Sequence, residues 1–142
     1  LAADPTKPAA GYSGTPLVKK LGIKPGAVMH AINAPPHYAN LLHDLPAGVK
    51  TLKRLRPGTD FVHLFATKEA QLAAALPTAK AALKTDGMLW VSWPKKAAKQ
   101  DTDLTEDRVR ALALKIGLVD VKVCAVDDTW SGLKLVYRLK DR

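Results

Sequence analysis

The segment that most constrains this chain runs from Leu83 to Val91, where Leu83-Lys84-Thr85-Asp86-Gly87 passes directly into Met88-Leu89-Trp90-Val91. An amphipathic helix is expected to stop on Gly87 and a fully apolar strand to start at Met88. Unbroken apolar runs suit strands covered on both faces, and such strands belong to the parallel sheets of alternating α/β chains. The junction fixes the class of architecture. It carries no chemistry.

The rest of the chain keeps the same alternation. Thr15-Pro16 is expected to open a short helix, with Thr15 as N-cap, Leu17, Val18 and Leu21 on its apolar side, and Gly22 at its left-handed end. Lys24-Pro25-Gly26 reads as a turn, and Ala27 to Ile32 as the first strand, which breaks at Asn33-Ala34-Pro35-Pro36. A helix of about two turns follows from Pro36 to His43. Val49 to Leu55 suits an edge strand, because Lys50, Lys53 and Arg54 discourage further pairing. Asp60 to Ala66 is a buried strand. Thr67 is expected to cap a long helix from Lys68 to Lys84, with Leu72, Leu76, Ala79 and Leu83 on its buried face. Pro77 should kink that helix or split it.

After the Met88 to Trp93 strand comes a polar connection from Lys95 to Thr102. Asp103 and Glu106 have capping-box spacing ahead of a helix that ends at Ile116-Gly117. The chain closes with two alternating runs, Val119, Val121, Val123 and then Leu133, Leu135, Tyr137, Leu139, around a hairpin loop at Asp127 to Gly132. The expected fold is a single α/β domain over residues 11–142 after a disordered segment 1–10. Its sheet is doubly wound and mostly parallel, with helices on both faces and a C-terminal antiparallel hairpin.

This order of elements, from Ala27 to Leu139, resembles the Rossmann-like fold of S-adenosylmethionine-dependent methyltransferases. The resemblance implies a glycine-rich turn after the first strand, where backbone must approach the cofactor closely. Here that turn reads Asn33-Ala34-Pro35-Pro36-His37, and Lys53, Arg54 and Arg56 stand where an acid would hold a ribose hydroxyl. The expectation is therefore a truncated, methyltransferase-like sheet without its cofactor. A second resemblance is to small bacterial proteins of domain-of-unknown-function family 3052. It rests on Gly11 to Leu17, Lys20 to Ile23, Trp93 to Lys96, Asp103 to Asp107, Gly117 to Asp127 and Thr129 to Lys134, nearly all of Gly11 to Arg138, and implies no activity.

Composition excludes little. No apolar run approaches the roughly 18 residues needed to cross a bilayer, so no membrane partner is expected. Cys124 is the single cysteine and lies in an apolar strand, so an inert thiol in a reducing cytoplasm fits. The formal net charge is +9. Without a reading motif or interleaved aromatics, that charge points to a solvated basic surface ahead of specific nucleic-acid binding. Histidines at 30, 37, 43 and 63 lack zinc-ligand spacing, so no metal is expected.

Function is sought at the carboxyl ends of the strands, where open α/β sheets bind ligands. Four loops should meet there. They bring Asn33 and His37, then Thr67 and Lys68, then Ser92, Trp93, Lys95 and Lys96, and finally Asp127, Asp128, Trp130 and Ser131. The Trp93-Pro94-Lys95-Lys96 run offers an aromatic face and cations to a small anionic or flat ligand. Asp127 is expected to close the hairpin through Asx-turn hydrogen bonds, and Trp130 to fold over this edge as a pocket wall or a core plug. Ser92, His37 and Asp128 could be imagined as a relay, but no nucleophile elbow surrounds Ser92. Three uses follow: a non-catalytic binding or interaction domain, a small enzyme or anion binder at this edge, and a weak polyanion binder.

Overall fold

A computed structural model describes residues 16–142; the expectations for the first fifteen residues, Thr15 as N-cap included, lie outside it. The core is one six-stranded sheet in the order β2-β1-β3-β4-β6-β5. Its strands are β1 (Val28–Ile32), β2 (Lys50–Thr51), β3 (Thr59–Phe65), β4 (Leu83–Pro94), β5 (Leu118–Ala125) and β6 (Trp130–Tyr137). β2, β1, β3 and β4 are parallel, and β6 runs antiparallel to both β4 and β5. The expected mixed α/β sheet with a C-terminal antiparallel hairpin is the observed one. Strand order reverses between β1 and β3, which makes their carboxyl ends the switch point of the sheet.

Two cores flank the sheet. On one face α3 (Glu69–Ala82) and α4 (Glu106–Lys115) cover Val62, Leu64, Leu89, Val91, Leu133 and Leu135. The predicted stripe of Leu72, Leu76, Ala79 and Leu83 is fully buried there. On the other face the short helix α1 (Leu17–Leu21) covers Phe61 and Trp90 with Leu17, Val18 and Leu21. Each such side chain contributes about 1.5–3 kcal/mol on burial. The Trp90 indole Nε1 donates to the Leu21 carbonyl at 2.8 Å, so α1 is fixed to the sheet by a hydrogen bond as well. Gly22 takes the expected left-handed cap at φ 78°, whereas Pro16 itself stands at the N-cap, so the helix begins one residue later than predicted.

Several boundaries differ from the sequence reading. α3 ends at Ala82, and β4 starts at Leu83 opposite Thr59. β3 then advances from Thr59 to Phe61 while β4 advances from Leu83 to Met88, so Lys84 to Gly87 form a bulge. Gly87 is therefore no helix cap. A Cβ placed on it would stand 2.7 Å from the Asp60 carbonyl oxygen, so glycine is needed for strand approach. Lys84 Nζ lies 3.1 Å from Asp60 Oδ1, and the Val28 backbone N–H donates to Oδ2 at 2.8 Å, tying the bulge to β1.

Pro77 does not split α3, which continues through it. It lies on the exposed face, where the carbonyl it leaves without a donor can meet water. The expected two-turn helix after β1 is only α2 (Tyr38–Leu41), and the expected Val49 to Leu55 strand is the two-residue edge strand β2. Thr105, not Asp103, caps α4 by accepting from the Arg108 backbone N–H at 3.2 Å. Asp103 instead accepts from the Glu69 backbone N–H at 2.7 Å and so caps α3 from across the loop. Lys68, not Thr67, stands at the N-cap of α3; the Thr67 backbone N–H donates to Gln71 Oε1 at 3.0 Å, and its carbonyl accepts from the Thr102 hydroxyl at 2.6 Å. The sheet edge at β5 is bulged between Asp120 and Lys122, which leaves Val121 and Val123 exposed instead of sharing a buried face. Leu139, expected to continue the apolar face of the last strand, is likewise exposed, in a 3-10 turn (Leu139–Asp141) beyond β6. Among the described residues no helix is long and apolar enough to cross a membrane.

Candidate functional site

β4 and β6 alternate residues between the two faces, so the carboxyl edge of the sheet holds two separate arrangements. On the α1 side, β3 contributes Phe61, His63 and Phe65, and β4 contributes Trp90 and Ser92. His63 and Ser92 are completely buried. His63 Nε2 lies 2.7 Å from Ser92 Oγ, and Nδ1 lies 2.9 Å from the Tyr38 hydroxyl. The imidazole stacks on Phe65 at 4.2 Å, and Tyr38 meets both rings edge-on. Burial pushes the His63 pKa down to about 3, so the ring is neutral at pH 7 and both nitrogens are hydrogen-bonded. Burial likewise pushes the Tyr38 phenol well above its ordinary value. No buried side-chain nitrogen or oxygen among the described residues lacks a partner.

Tyr38 reaches this position because the β1–α2 turn folds back over the sheet. Asn33 adopts a left-handed conformation at φ 58°, a conformation asparagine tolerates better than most residues. His37 Nε2 is 2.8 Å from Asp127 Oδ2, while Asp127 Oδ1 accepts from the backbone N–H groups of Thr129 and Trp130, each at 2.8 Å. Asp127 thus makes the predicted Asx turn and also latches the β1–α2 turn to the hairpin. The imagined set of Ser92, His37 and Asp128 does not assemble. Ser92 belongs to the His63–Tyr38 chain and His37 to Asp127. Trp130 lies opposite Pro94, meets Phe65 edge-on at 5.0 Å, and packs with the α1-side core.

On the α4 side a groove of about 600 Å³ opens at the end of β4. Trp93, Pro94, Lys95, Lys96 and Ser131 form one wall, and Thr102 to Glu106 with Arg108 form the other. Trp93 and Leu104 supply buried apolar surface, 6% and 4% exposed. Arg108 Nη1 is held 2.7 Å from Glu69, and Glu106 pairs with Arg110. The groove therefore gathers four of the predicted site residues, Trp93, Lys95, Lys96 and Ser131. Asn33, His37, Asp127 and Trp130 stand on the opposite face, Ser92 lies in the core, and Thr67 borders α3. Asp128 is exposed in the hairpin loop.

A second cavity, about 380 Å³, lies at the opposite edge of the sheet between Gly22 to Ala27 and the Lys84 to Met88 bulge. Neither cavity is lined by the β1–α2 turn. No three His, Cys, Asp or Glu side chains among the described residues are grouped to hold a metal ion.

Sequence reading missed His63 and Tyr38 as partners. The available signal was Phe61, His63 and Phe65 at alternate positions of one strand, which places the imidazole among aromatic rings on one face. Nothing in the sequence points to Tyr38, because its contact depends on how the proline-containing turn folds.

A family model described as "Protein of unknown function (DUF3052)" matches residues 57–139. The Gly11 to Ile23 segments thought to carry the same resemblance fall outside that match. No curated protein sequence matches the chain. Solved structures do. The ribosomal protein L11 methylase of Lactobacillus delbrueckii subsp. bulgaricus is similar over 86% of this chain and 75% of that one, at 12% identity and a TM-score of 0.57. The tRNA methyltransferase TrmK of B. subtilis is similar over 94% and 68%, at 16% identity and 0.53. The precorrin-6y C5,15-methyltransferase of Geobacter metallireducens is similar over 86% of each chain, at 12% identity and 0.55. At such identities the likeness is one of fold.

Proposed function

The chain belongs to domain-of-unknown-function family 3052, and from that premise we propose that it is a non-catalytic binding domain that has closed its switch-point crevice. It takes a small anionic ligand with a flat apolar body in the groove at the end of β4. The observation that carries this reading is the groove itself. Its volume of about 600 Å³ falls in the range of roughly 300–1,000 Å³ usual for ligand sites. Trp93, Pro94 and Leu104 offer apolar lining, and Lys95 and Lys96 offer cations.

The residues at the switch point do not fit an adenosyl cofactor of the kind the fold relatives suggest. Asn33-Ala34-Pro35-Pro36 supplies no glycine for close approach, and prolines 35 and 36 lack N–H donors. Tyr38 covers His63 and Phe65 where such a ligand would lie, and the His37–Asp127 contact holds the turn down. Lys53 and Arg54 follow β2 where an acid would hold a ribose.

Isothermal titration tests both halves. S-adenosylmethionine should give no saturable heat, and micromolar binding would overturn the closed-crevice reading. Small aromatic carboxylates should bind, and Lys96→Glu should weaken them at least tenfold. Equal binding by that variant would sink the groove assignment.

A further inference from the structure

The α1-side face of the terminal hairpin concentrates positive charge in a way the groove does not use. Lys134 pairs in register with Trp90, whose ring packs under α1, so both project from that face. Lys122 is directly opposite Lys134 across the β5–β6 ladder and therefore shares the same face. Two like charges at directly opposed positions repel, so this pairing costs the free protein stability. No carboxylate lies within ion-pair distance of Lys24, Lys122 or Lys134 among the described residues.

The ridge is organised. Lys122 Nζ donates to the Lys20 carbonyl at 3.1 Å, and Lys20 Nζ donates to the Ala125 carbonyl at 2.8 Å, which ties α1 to β5. Burial, and then the neighbouring charges of Lys122 and Lys24, lower the Lys134 pKa. Lys20 is lowered mainly by burial, with Lys95 and Lys122 adding to it. Lys20, Lys122 and Lys134 thus gather on one face of the hairpin. A net charge of +9 adds long-range attraction for a polyanion.

We propose that this pair of Lys122 and Lys134, directly opposed on the hairpin, is the centre of a docking surface for double-stranded nucleic acid, contacted through its phosphate backbone and without base readout. Phosphates placed between the lysines would turn the cross-strand repulsion into attraction and release condensed counterions. No Phe, Tyr or Trp side chain among the described residues is exposed, so those residues offer no large aromatic platform for stacking unpaired bases. That favours duplex over single strands. The proposal does not depend on the groove at the end of β4.

The test is fluorescence anisotropy of the full chain with a mixed-sequence DNA duplex of about 20 base pairs across a salt series. Binding should weaken linearly in log salt. The Lys122→Gln/Lys134→Gln variant should flatten that slope by about 1.8, the share of two phosphate contacts. A Lys53→Gln/Arg54→Gln variant, at the opposite end of the sheet, should leave the slope unchanged. Thermal melts of both variants establish that they are folded. The proposal fails if the duplex does not bind at 50 mM salt (about the lower end of a standard series), or if both variants lose the same slope. It also fails if anionic phospholipid vesicles bind through Lys122 and Lys134 while the duplex does not. Displacement of the duplex by low-millimolar inorganic phosphate at fixed ionic strength would overturn it too, in favour of a small phosphate site.

Discussion

His63 shows how a polar side chain can be fully buried without cost to specificity. Both ring nitrogens are engaged, by Ser92 at 2.7 Å and Tyr38 at 2.9 Å, and Phe65 covers its face. Removing either hydroxyl leaves a buried nitrogen unpaired. Tyr38→Phe and Ser92→Ala are each expected to cost about 1–3 kcal/mol in urea denaturation. Because both act through one imidazole, the double variant should cost measurably less than their sum. The pKa of about 3 sets a pH dependence. The folded value is below the ordinary 6.5, so the unfolded chain binds the proton more tightly. This contribution to stability is complete above pH 6.5 and declines as pH falls toward 3, by up to roughly 1.4 kcal/mol per pH unit. Denaturation across that range checks it. A His63→Gln variant should lose most of this slope, and an unchanged slope would refute the assignment.

At the level of elements, strong apolar runs were readable and boundaries less so. The buried stripe of α3 and the apolar stretch from Met88 to Trp93 follow from hydrophobic period alone. Leu83 continues the helical stripe and also starts a strand, and the deciding partner is Thr59 on β3, which the local sequence does not reveal. Gly87 read as a helix cap because a glycine after Lys and Asp is a common stop; its actual constraint is the Asp60 carbonyl 2.7 Å from where a Cβ would stand. Gly87→Ala should therefore destabilise by about 1–3 kcal/mol through backbone displacement. A melting temperature equal to wild type would contradict that contact. Asp103 looked like the cap of α4 from spacing, yet its carboxylate serves α3, a long-range contact no window can show. In the hairpin, Lys134→Gln should stabilise by about 0.2–1 kcal/mol at low salt by removing a like-charge pair. The gain should shrink as salt screens it.

For the whole molecule, the order of elements was enough to recognise the sheet, and the relatives share that sheet at 11–16% identity. The carboxyl edge was legible as the place to look, because strand polarity follows from the alternation of helices and strands. Its division into two faces was not. Trp93 and Ser131 line the groove, while Ser92 and Trp130, one position away, face the opposite core. That alternation depends on which face of β4 meets which helix. In the proposed function Tyr38 closes the crevice and ligand binding moves to the groove. Amide chemical-shift mapping tests it most directly, with S-adenosylmethionine and a small aromatic carboxylate titrated in turn. The carboxylate should shift Trp93, Lys95, Lys96, Leu104, Thr105 and Ser131, and S-adenosylmethionine should shift nothing saturably. Saturable shifts from Ile32 to Tyr38 and at Thr67 with S-adenosylmethionine would show the crevice to be open.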